Sequence, residues 1–134
     1  MRKLISIIDF PIIGDDRGCL VALEANKIIP FDIKRVYYLF GMQSNFPRGF
    51  HAHKALVQVA VCLKGSCDIL MDDGHEKGIV TLNSPSQGLL IDVMQWHEMS
   101  NFSEDCVLMV LANDVYDEMD YIRVYKDFIE KVIK

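Results

Sequence analysis

The sequence lacks the features by which nucleic-acid-binding proteins are usually recognised. It contains no basic run of five or more residues, and its 134 residues carry 14 Lys+Arg against 19 Asp+Glu, a net charge of −5. A broad electrostatic footprint for nucleic acid is therefore excluded. A small anionic ligand is not excluded, because a few arginines gathered in one pocket can override the global charge.

Several other motifs are also missing. No apolar run approaches the roughly 20 residues needed to span a bilayer, and the first residues mix charged and apolar side chains too early for a signal peptide. We therefore expect a soluble, cytoplasmic protein without a membrane partner. The sequence has no G-x-G-x-x-G, P-loop or G-x-S-x-G motif, which disfavours dinucleotide, ATP and serine-hydrolase chemistry. The four cysteines form no C-x-x-C pair, and we expect reduced thiols.

Short strands separated by turns dominate the pattern that is present. Hydrophobic residues make up 51% of the chain, enough for one packed domain over residues 1–134. Segments rich in β-branched and aromatic residues alternate with Gly, Pro, Asn and Asp clusters at spacings of about 8–12 residues, which is typical of an all-β sandwich or barrel. The predicted strands are 35–40, 56–63, 67–71, 79–82, 88–93 and 106–112.

The tail has a different periodicity. Apolar residues recur at Ile122, Tyr125, Phe128, Ile129 and Val132. This spacing predicts a short amphipathic helix within residues 121–134.

The segment His51-Ala52-His53 is the most informative for chemistry. On an extended strand, residues two apart point to the same face, so the two imidazoles converge on one small volume. A pair of exposed surface histidines is the alternative, and the apolar run that follows favours an interior position.

These histidines belong to a pattern that resembles the cupin superfamily. His51-x-His53 is followed by Gln58 and Gly65, as in the first cupin motif, and His97 with Asn101 reproduces the end of the second. The Pro-x-Gly of that second motif is replaced by Asp92-Val93-Met94. The resemblance implies a jelly-roll barrel of the double-stranded β-helix type, completed here by the short C-terminal helix.

The cupin metal site is incomplete in this sequence. Metal-binding cupins use a carboxylate where this chain has Gln58, and a neutral amide is a poor ligand for a transition metal. His51, His53, Gln58 and His97 could be proposed as ligands, but we expect no metal and no other cofactor. Acid–base chemistry by the histidines is the preferred hypothesis.

A closer resemblance covers nearly the whole chain. The run from Pro47 to Lys54 is similar to the signature of the thymidine-diphosphate (TDP) sugar 3,4-ketoisomerases, and further matching segments lie at 33–38, 63–67, 96–99, 111–116 and 120–123. The family implies a cupin-fold homodimer that works without metal. Its members convert a TDP-linked 4-keto-6-deoxyhexose to the 3-keto isomer, for 3-amino-3,6-dideoxy sugars of a lipopolysaccharide or S-layer glycan.

The histidines suit such a reaction. A ketone at C4 acidifies the hydrogen on C3, and the shift through an enediol needs a base near neutral pH and donors for the developing oxyanion. Histidine has the appropriate pKa. We expect His53 to be the base at C3 and His51 to serve the hydroxyl and C4 side, with the reverse order as the alternative.

The remaining site predictions concern substrate binding. Arg48 is the leading phosphate ligand, because arginine binds phosphate oxygens bidentately and Pro47 and Gly49 constrain it. Either Tyr37 or Tyr38 must face inward, and Tyr38 is taken as the candidate, with a core or dimer-interface role as the alternative. Trp96 is either a core anchor or a ligand contact. The other predicted binding residues are Arg17, Arg35, Lys54, His97, Asn113, Tyr116 and Arg123.

Two alternatives to a metal-free ketoisomerase remain. The first is a metal-dependent cupin enzyme, and the second is a non-catalytic cupin that only binds a nucleotide sugar. Arg17 and His97 resemble the ketoisomerases that form the galacto product, so the resemblance favours that stereochemistry at C4 over gluco.

Overall fold

Two facing antiparallel sheets make up most of the computed structural model, which describes residues 3–133. The strands are β1 (Ser6–Asp9), β2 (Ile13–Asp15), β3 (Gly18–Leu20), β4 (Arg35–Leu39), β5 (Arg48–His53), β6 (Gln58–Lys64), β7 (Cys67–Asp72), β8 (Lys77–Leu82), β9 (Gln87–Ile91), β10 (Trp96–Ser100), β11 (Val107–Ala112) and β12 (Tyr121–Ile122), and they are followed by the helix α1 (Tyr125–Ile133). One sheet has the order β1-β9-β6-β11-β4, the other has β12-β5-β10-β7-β8, and β2 pairs with β3 as a separate hairpin.

Strand alternation distributes the apolar residues of β6 between two cores. Ala60 and Cys62 face the interior between the sheets, whereas Val59 and Val61 face the opposite side and pack beneath the segment that includes Ile29 and Phe31. Because both faces of β6 are covered, its sequence is continuously apolar rather than alternating. This strand therefore anchors the interior that supports the site.

The predicted strands all occur, with end shifts of one or two residues. Six further strands, β1, β2, β3, β5, β10 and β12, were not among them, and the predicted tail helix begins later than expected. Tyr121 and Ile122 form β12, because their backbone pairs with His53 and Ala52 of β5. The helix itself spans Tyr125–Ile133, and Lys134 lies outside the described residues.

A β-bulge in β5 sets which of its side chains reach the interior. His97 of β10 pairs with His51, but the next residue, Glu98, pairs with Gly49, so Phe50 is the extra residue. Phe50 and Gly49 both have positive φ angles, 59° and 94°. Because one residue is skipped, Arg48 shares a face with His51, although a spacing of three would place them on opposite faces of a regular strand.

Among residues 3–133, no helix has the length and apolar character needed to cross a membrane.

The bulge generates a first prediction. A Cβ at Gly49 would lie 2.9 Å from the carbonyl oxygen of His97. We expect Gly49→Ala to lower the free energy of unfolding by about 2–4 kcal/mol, because positive-φ strain and overpacking each cost about 1–3 kcal/mol. Gly41→Ala is the control, since Gly41 also has positive φ but open space around it, and we expect a loss of about 1 kcal/mol. Denaturant unfolding measures both, and equal losses would contradict the proposed clash.

Candidate active site

A cavity of about 330 Å³ opens between the two sheets. Its size is within the range of small-molecule sites, about 300–1,000 Å³. Residues from β4, β5, β10 and β12 and the segment after β12 line it: Arg35, Tyr37, Leu39, Arg48, Gly49, His51, Met99, Tyr121 and Arg123.

Three histidines cluster at one wall of this cavity. The ring of His51 lies 4.5 Å from that of His97 and 4.9 Å from that of His53, centroid to centroid, both edge-on. Only His51 lines the cavity, whereas His53 and His97 are buried behind it, with exposed fractions of 2% and 3%. Tyr121 packs against both His51 and His53.

Hydrogen bonds fix the tautomer of each neutral imidazole. Nδ1 of His51 lies 3.0 Å from the carbonyl oxygen of Gly49, and Nδ1 of His97 lies 3.2 Å from that of Gln95. A carbonyl oxygen can only accept, so Nδ1 carries the hydrogen in both rings. Each Nε2 therefore presents a lone pair. The site consequently holds proton acceptors rather than donors at these positions.

Burial keeps the histidines uncharged at neutral pH. It lowers the pKa of His51 to about 4 and that of His97 to about 3, and neighbouring imidazoles add to the effect. Burial also lowers the pKa of His53, although the Asp120 carboxylate opposes that shift. All three pKa values lie below the ordinary value near 6.5, so each ring is a base with an available lone pair.

Asp120 holds His53 and the loop after it. One carboxylate oxygen lies 3.0 Å from Nδ1 of His53, and the carboxylate also accepts hydrogen bonds from the backbone N–H groups of Ala55 and Leu56. Nδ1 of His53 therefore donates, and its Nε2 is buried without a partner among the described residues. The carboxylate thus fixes the ring's orientation and tautomer.

Three arginines give the cavity a positive wall in a chain of negative net charge. Arg48 makes no ion pair or side-chain hydrogen bond within the described residues, so its guanidinium is available to a ligand. Arg35 lies over the rings of Tyr37 and Tyr116, and its Nε is buried without a partner there. Arg123 forms an ion pair with Glu118, which in turn lowers the pKa of Glu118 to about 2.

Seven predicted binding residues do not line this cavity. His97 is buried behind His51, Tyr116 is 56% exposed next to Arg35, and the other five lie elsewhere. Tyr38 is 64% exposed on the outer face of β4, because strand alternation turns Tyr37 inward. Trp96 packs against Tyr125 and Phe128 of the C-terminal helix. The three others make local contacts: Arg17 pairs with Asp15, Lys54 donates to the carbonyl oxygen of Met119, and Asn113 accepts from the backbone of Val57.

Three residues of the site were not chosen as site residues from the sequence. Tyr38 was chosen instead of Tyr37, because strand alternation alone does not show which of two adjacent residues faces inward. Asp120 and Tyr121 belong to a segment that carried the family resemblance. Tyr121 was assigned to a helix, and the contact between Asp120 and His53 joins residues 67 positions apart. Their presence in the resembling segment 120–123 was the available signal.

The donors around the histidines do not fit the metal site of a cupin. Gln58 donates a hydrogen bond from Nε2 to the hydroxyl oxygen of Tyr37, and all three histidine Nδ1 atoms have protein partners. In the described part of the chain, the cluster with metal-ligand spacing is formed instead by buried Cys62, Cys67 and Cys106. Burial raises the pKa of the Cys62 thiol to about 12 and also raises that of Cys67, so Cys62 and Cys67 are protonated core residues.

Comparisons with known proteins identify the family of the chain. The family described as "FdtA: WxcM-like, C-terminal" matches residues 3–133. A TDP-4-oxo-6-deoxy-alpha-D-glucose-3,4-oxoisomerase of Aneurinibacillus thermoaerophilus is 56% identical over 128 residues, which cover 96% of this chain and 92% of that protein.

Solved structures of similar proteins superimpose closely. The QdtA 3,4-ketoisomerase of Thermoanaerobacterium thermosaccharolyticum, as a double mutant with TDP, gives a TM-score of 0.95 at 47% identity over 98% of this chain and 96% of that one. A histidine-to-asparagine mutant of QdtA was solved with TDP-4-keto-6-deoxyglucose, with a TM-score of 0.95 at 45% identity over 98% and 96% of the two chains. The WlaRB TDP-quinovose 3,4-ketoisomerase of Campylobacter jejuni gives 0.92 at 50% identity over 96% and 99%.

The chain belongs to the FdtA, WxcM-like family, and it is a sugar-nucleotide 3,4-ketoisomerase. Its fold also matches that of NovW, a 4-keto-6-deoxy sugar epimerase of Streptomyces spheroides, with a TM-score of 0.75 at 14% identity over 91% of this chain and 69% of that one. The predictions of an all-β cupin-type fold with a short C-terminal helix and of this enzyme family are confirmed.

The contacts of Asp120 generate a second prediction. Asp120→Ala leaves three donors without their acceptor, and each buried unpaired donor costs about 1–3 kcal/mol, so we expect the free energy of unfolding to fall by about 2–4 kcal/mol. Asp117→Ala is the matched control, because its carboxylate caps one exposed turn, and such a cap contributes about 1 kcal/mol. Denaturant unfolding compares the two variants. A loss in Asp120→Ala no larger than in the control would contradict the anchoring role.

Proposed function

We propose that the chain converts TDP-4-keto-6-deoxyglucose to the galacto form of the 3-keto isomer by metal-free proton transfer, for the biosynthesis of 3-amino-3,6-dideoxy sugars. The substrate follows from the relatives, which include an enzyme named for this sugar and a structure that contains it. The observation that carries the proposed mechanism is a single neutral imidazole, His51, on the wall of an arginine-lined cavity.

His51 is the base at C3 in this proposal. A general base must come within hydrogen-bond reach of the proton that it removes, and His51 is the histidine that lines the cavity. Nε2 of His53 is fully buried. This assignment reverses the order of roles expected from the sequence. His53, held by Asp120, then packs against the catalytic ring.

A single base also supports the galacto product. In the 4-keto-gluco substrate, the C3 hydrogen lies on the lower face of the ring. Return of a proton to C4 from that same face leaves the C4 hydroxyl pointing up, which is the galacto configuration. The gluco configuration requires a donor on the opposite face. Because His53 and His97 are buried behind His51, the described residues offer one imidazole and hence one face.

The diphosphate is assigned to the arginines. Arg48 has no protein partner among the described residues, and the bulge places it on the same face as His51. Arginine binds phosphate oxygens bidentately, so Arg48 can hold the diphosphate while the sugar lies against His51. Arg35 and Arg123 complete the positive wall.

The proposed assembly is a homodimer. Support comes from the outer face of β4 and the residue after it, where Val36, Tyr38 and Phe40 are 52%, 64% and 71% exposed. Such adjacent apolar side chains at the edge of a sheet are typical of an interaction surface.

Isomerisation tests the proposed function directly. Chelator-treated protein is mixed with TDP-4-keto-6-deoxyglucose in H₂O and followed by proton NMR, and we expect a 3-keto product with the small H4–H5 coupling of an equatorial H4. His51→Asn should abolish turnover because the base is lost, while TDP still binds through the arginines. His75→Asn, on an exposed hairpin, is the matched control and should keep full activity.

The outcomes separate the alternatives. If folded wild-type protein forms no product, the alternative of a cupin that only binds a nucleotide sugar would be favoured. If activity appears only after metal ions are added, the metal-dependent alternative would be favoured. A large H4–H5 coupling would establish the gluco product and refute single-face transfer. Full activity of His51→Asn would refute the assignment of the base.

The oligomeric state provides a further prediction. We expect light scattering to give a mass of about twice the 15.3 kDa of one chain, because burial of the apolar face of β4 favours association. Phe40→Asp should shift the equilibrium toward monomers, whereas Val124→Asp, which changes an exposed valine elsewhere, should not. A monomeric wild-type protein would contradict the proposal.

A further inference from the structure

Three of the four cysteines lie together in the interior, and none of them lines the cavity. Cys62 belongs to β6, Cys67 begins β7 and Cys106 precedes β11, and their exposed fractions are 0%, 1% and 2%. All three sulfur atoms lie within 4.8 Å of one another, and Sγ of Cys62 lies 3.9 Å from Sγ of Cys106. The proposed isomerisation uses none of these thiols, so the cluster has no role in the chemistry described so far.

The thiol cluster formed by these three residues connects the two sheets beneath a pair of turns. β6 and β11 are neighbours in one sheet, whereas β7 belongs to the other. The turn at 64–66 connects β6 to β7, and one of its carbonyl oxygens lies 3.2 Å from Sγ of Cys62. Ser66 of this turn and Ser103 of the segment 101–105 are joined by two hydrogen bonds. Both segments carry exposed residues, so local opening of these turns would admit a small molecule to the cluster.

The sulfur positions suit one small central atom that is bonded to all three. Bonds of about 2.3 Å from one atom to three sulfurs, the length found in zinc–thiolate sites, place the sulfurs about 3.4–3.8 Å apart. The distance between the sulfurs of Cys62 and Cys106 is already close to this range, and small rotations of the side chains bring the third sulfur into it. The cluster is therefore nearly preformed as a three-sulfur site.

The apolar surroundings decide which atom fits. The cysteines belong to the same core as Ile69, Phe102 and Leu108, where an unpaired charge is costly to bury. Three thiolates around a divalent zinc or cadmium ion leave one net negative charge. Structural zinc sites also take a fourth ligand, and among the described residues the group with this spacing has only its three members. Three thiolates around trivalent arsenic are neutral, and the arsenic lone pair takes the place of a fourth ligand.

We propose that Cys62, Cys67 and Cys106 form a binding site for trivalent arsenic, which enters as arsenous acid and is held as a neutral tris-thiolate. Arsenous acid is small and uncharged at neutral pH, so its passage between the turns buries no charge. The inference is independent of the proposed function, because it uses no residue of the cavity. Binding would connect β6 and β11 of one sheet to β7 of the other through a single atom.

The reaction balances without an oxidant or a reductant. A sulfur lone pair of each thiol forms a bond to arsenic as one arsenic–oxygen bond breaks, and the departing hydroxyl group takes the thiol hydrogen and leaves as water. Three thiols and one molecule of arsenous acid therefore give one tris-thiolate and three molecules of water. Because the hydrogens leave with the water, no thiolate has to accumulate in the core. This agrees with the raised pKa values of Cys62 and Cys67.

Mass spectrometry of the intact protein tests the site directly. The protein is kept reduced with a phosphine, because a dithiol reductant would compete for arsenic, and is incubated with sodium arsenite. We expect a mass gain of one arsenic atom less three hydrogens, which is specific to a three-thiol adduct. Cys106→Ala and Cys67→Ala should each lose this adduct, and circular dichroism monitors their folding. Cys19→Ser is the matched control, since Cys19 is exposed and lies outside the cluster, and it should keep the adduct.

Thermal unfolding tests whether the bound atom connects the two sheets. A ligand that binds the folded state raises its stability by mass action. With free arsenite about 100-fold above its dissociation constant, we expect the unfolding midpoint of the parent protein to rise by about 5–10 °C. Cys19→Ser should show the same rise. Cys106→Ala and Cys67→Ala should show none, because two thiols are also available to arsenic in the unfolded chain.

Several outcomes would overturn the inference. A mass gain with one retained hydroxyl group and two lost hydrogens would establish a two-thiol adduct instead. An unchanged adduct in both alanine variants, its loss in Cys19→Ser, or an unshifted unfolding midpoint in the parent protein would also refute the site. Displacement of arsenic by an equal concentration of cadmium chloride would refute the charge argument.

Slow access does not protect the inference from refutation. If the folded protein forms no adduct, the reduced chain is refolded from denaturant in the presence of arsenite, so that the thiols meet arsenic before the core closes. Absence of the three-thiol mass after refolding would overturn the proposal. None of these measurements uses a sugar nucleotide, so their results are distinguishable from failure of the proposed function.

Discussion

The pairing of β5 with β10 determines the chemistry of the cavity, because it decides which side chains of β5 face inward. His51 stands directly opposite His97, and one bulge residue, Phe50, then changes the parity of the strand. Without the bulge, Arg48 would face solvent on the opposite side from His51. Glycine at position 49 is required for this geometry, because a side chain there would collide with the β10 backbone. The bulge therefore places Arg48, a cation suited to phosphate, on the same face as His51, a base that can remove a proton from carbon.

Burial and hydrogen bonding together define the proton-transfer capacity of the site. Desolvation keeps the imidazoles neutral, and the acceptors at Gly49, Gln95 and Asp120 hold their hydrogens on Nδ1. Protonated histidines would otherwise place further positive charge beside the three arginines of the cavity wall, and these like charges would repel one another. Because the rings are neutral, the positive charge of the cavity comes from the arginines alone. That local charge suits a diphosphate ligand, although the chain as a whole is negatively charged.

Much of the fold could be predicted from the sequence, because turn residues and apolar runs are local signals. The strands with continuous apolar sequence, such as β6 and β11, were predicted to within two residues of their ends. β5 and β10 were not, since their histidines and other polar residues belong to the site. Ile122 satisfied the helical spacing, but its backbone pairs with Ala52, and tertiary pairing overrides local periodicity.

The site was predictable only in part, for the same reason. His51, Arg35, Arg48 and Arg123 came from segments that resemble a family, and the structure gathers them at one cavity. The inward tyrosine could not be chosen without knowing the parity of β4, and Trp96 was ambiguous because its burial beneath α1 depends on a distant helix. Asp120 was not identified because its contact with His53 joins residues 67 positions apart in the sequence. Long-range contacts of this kind leave no periodic trace in the sequence.

Position 58 shows how one barrel can support two kinds of catalysis. A carboxylate there brings negative charge, which suits a metal ion held beside the histidines. An amide brings hydrogen-bond donors and no charge, which suits a neutral phenol such as Tyr37. The two side chains have nearly the same shape, so the exchange leaves the packing of β6 against β11 intact. In this structure the amide donates to the hydroxyl oxygen of Tyr37. Position 58 therefore contributes a hydrogen-bond donor and no negative charge to the interior between the sheets, and the buried strand β6 holds that donor in place.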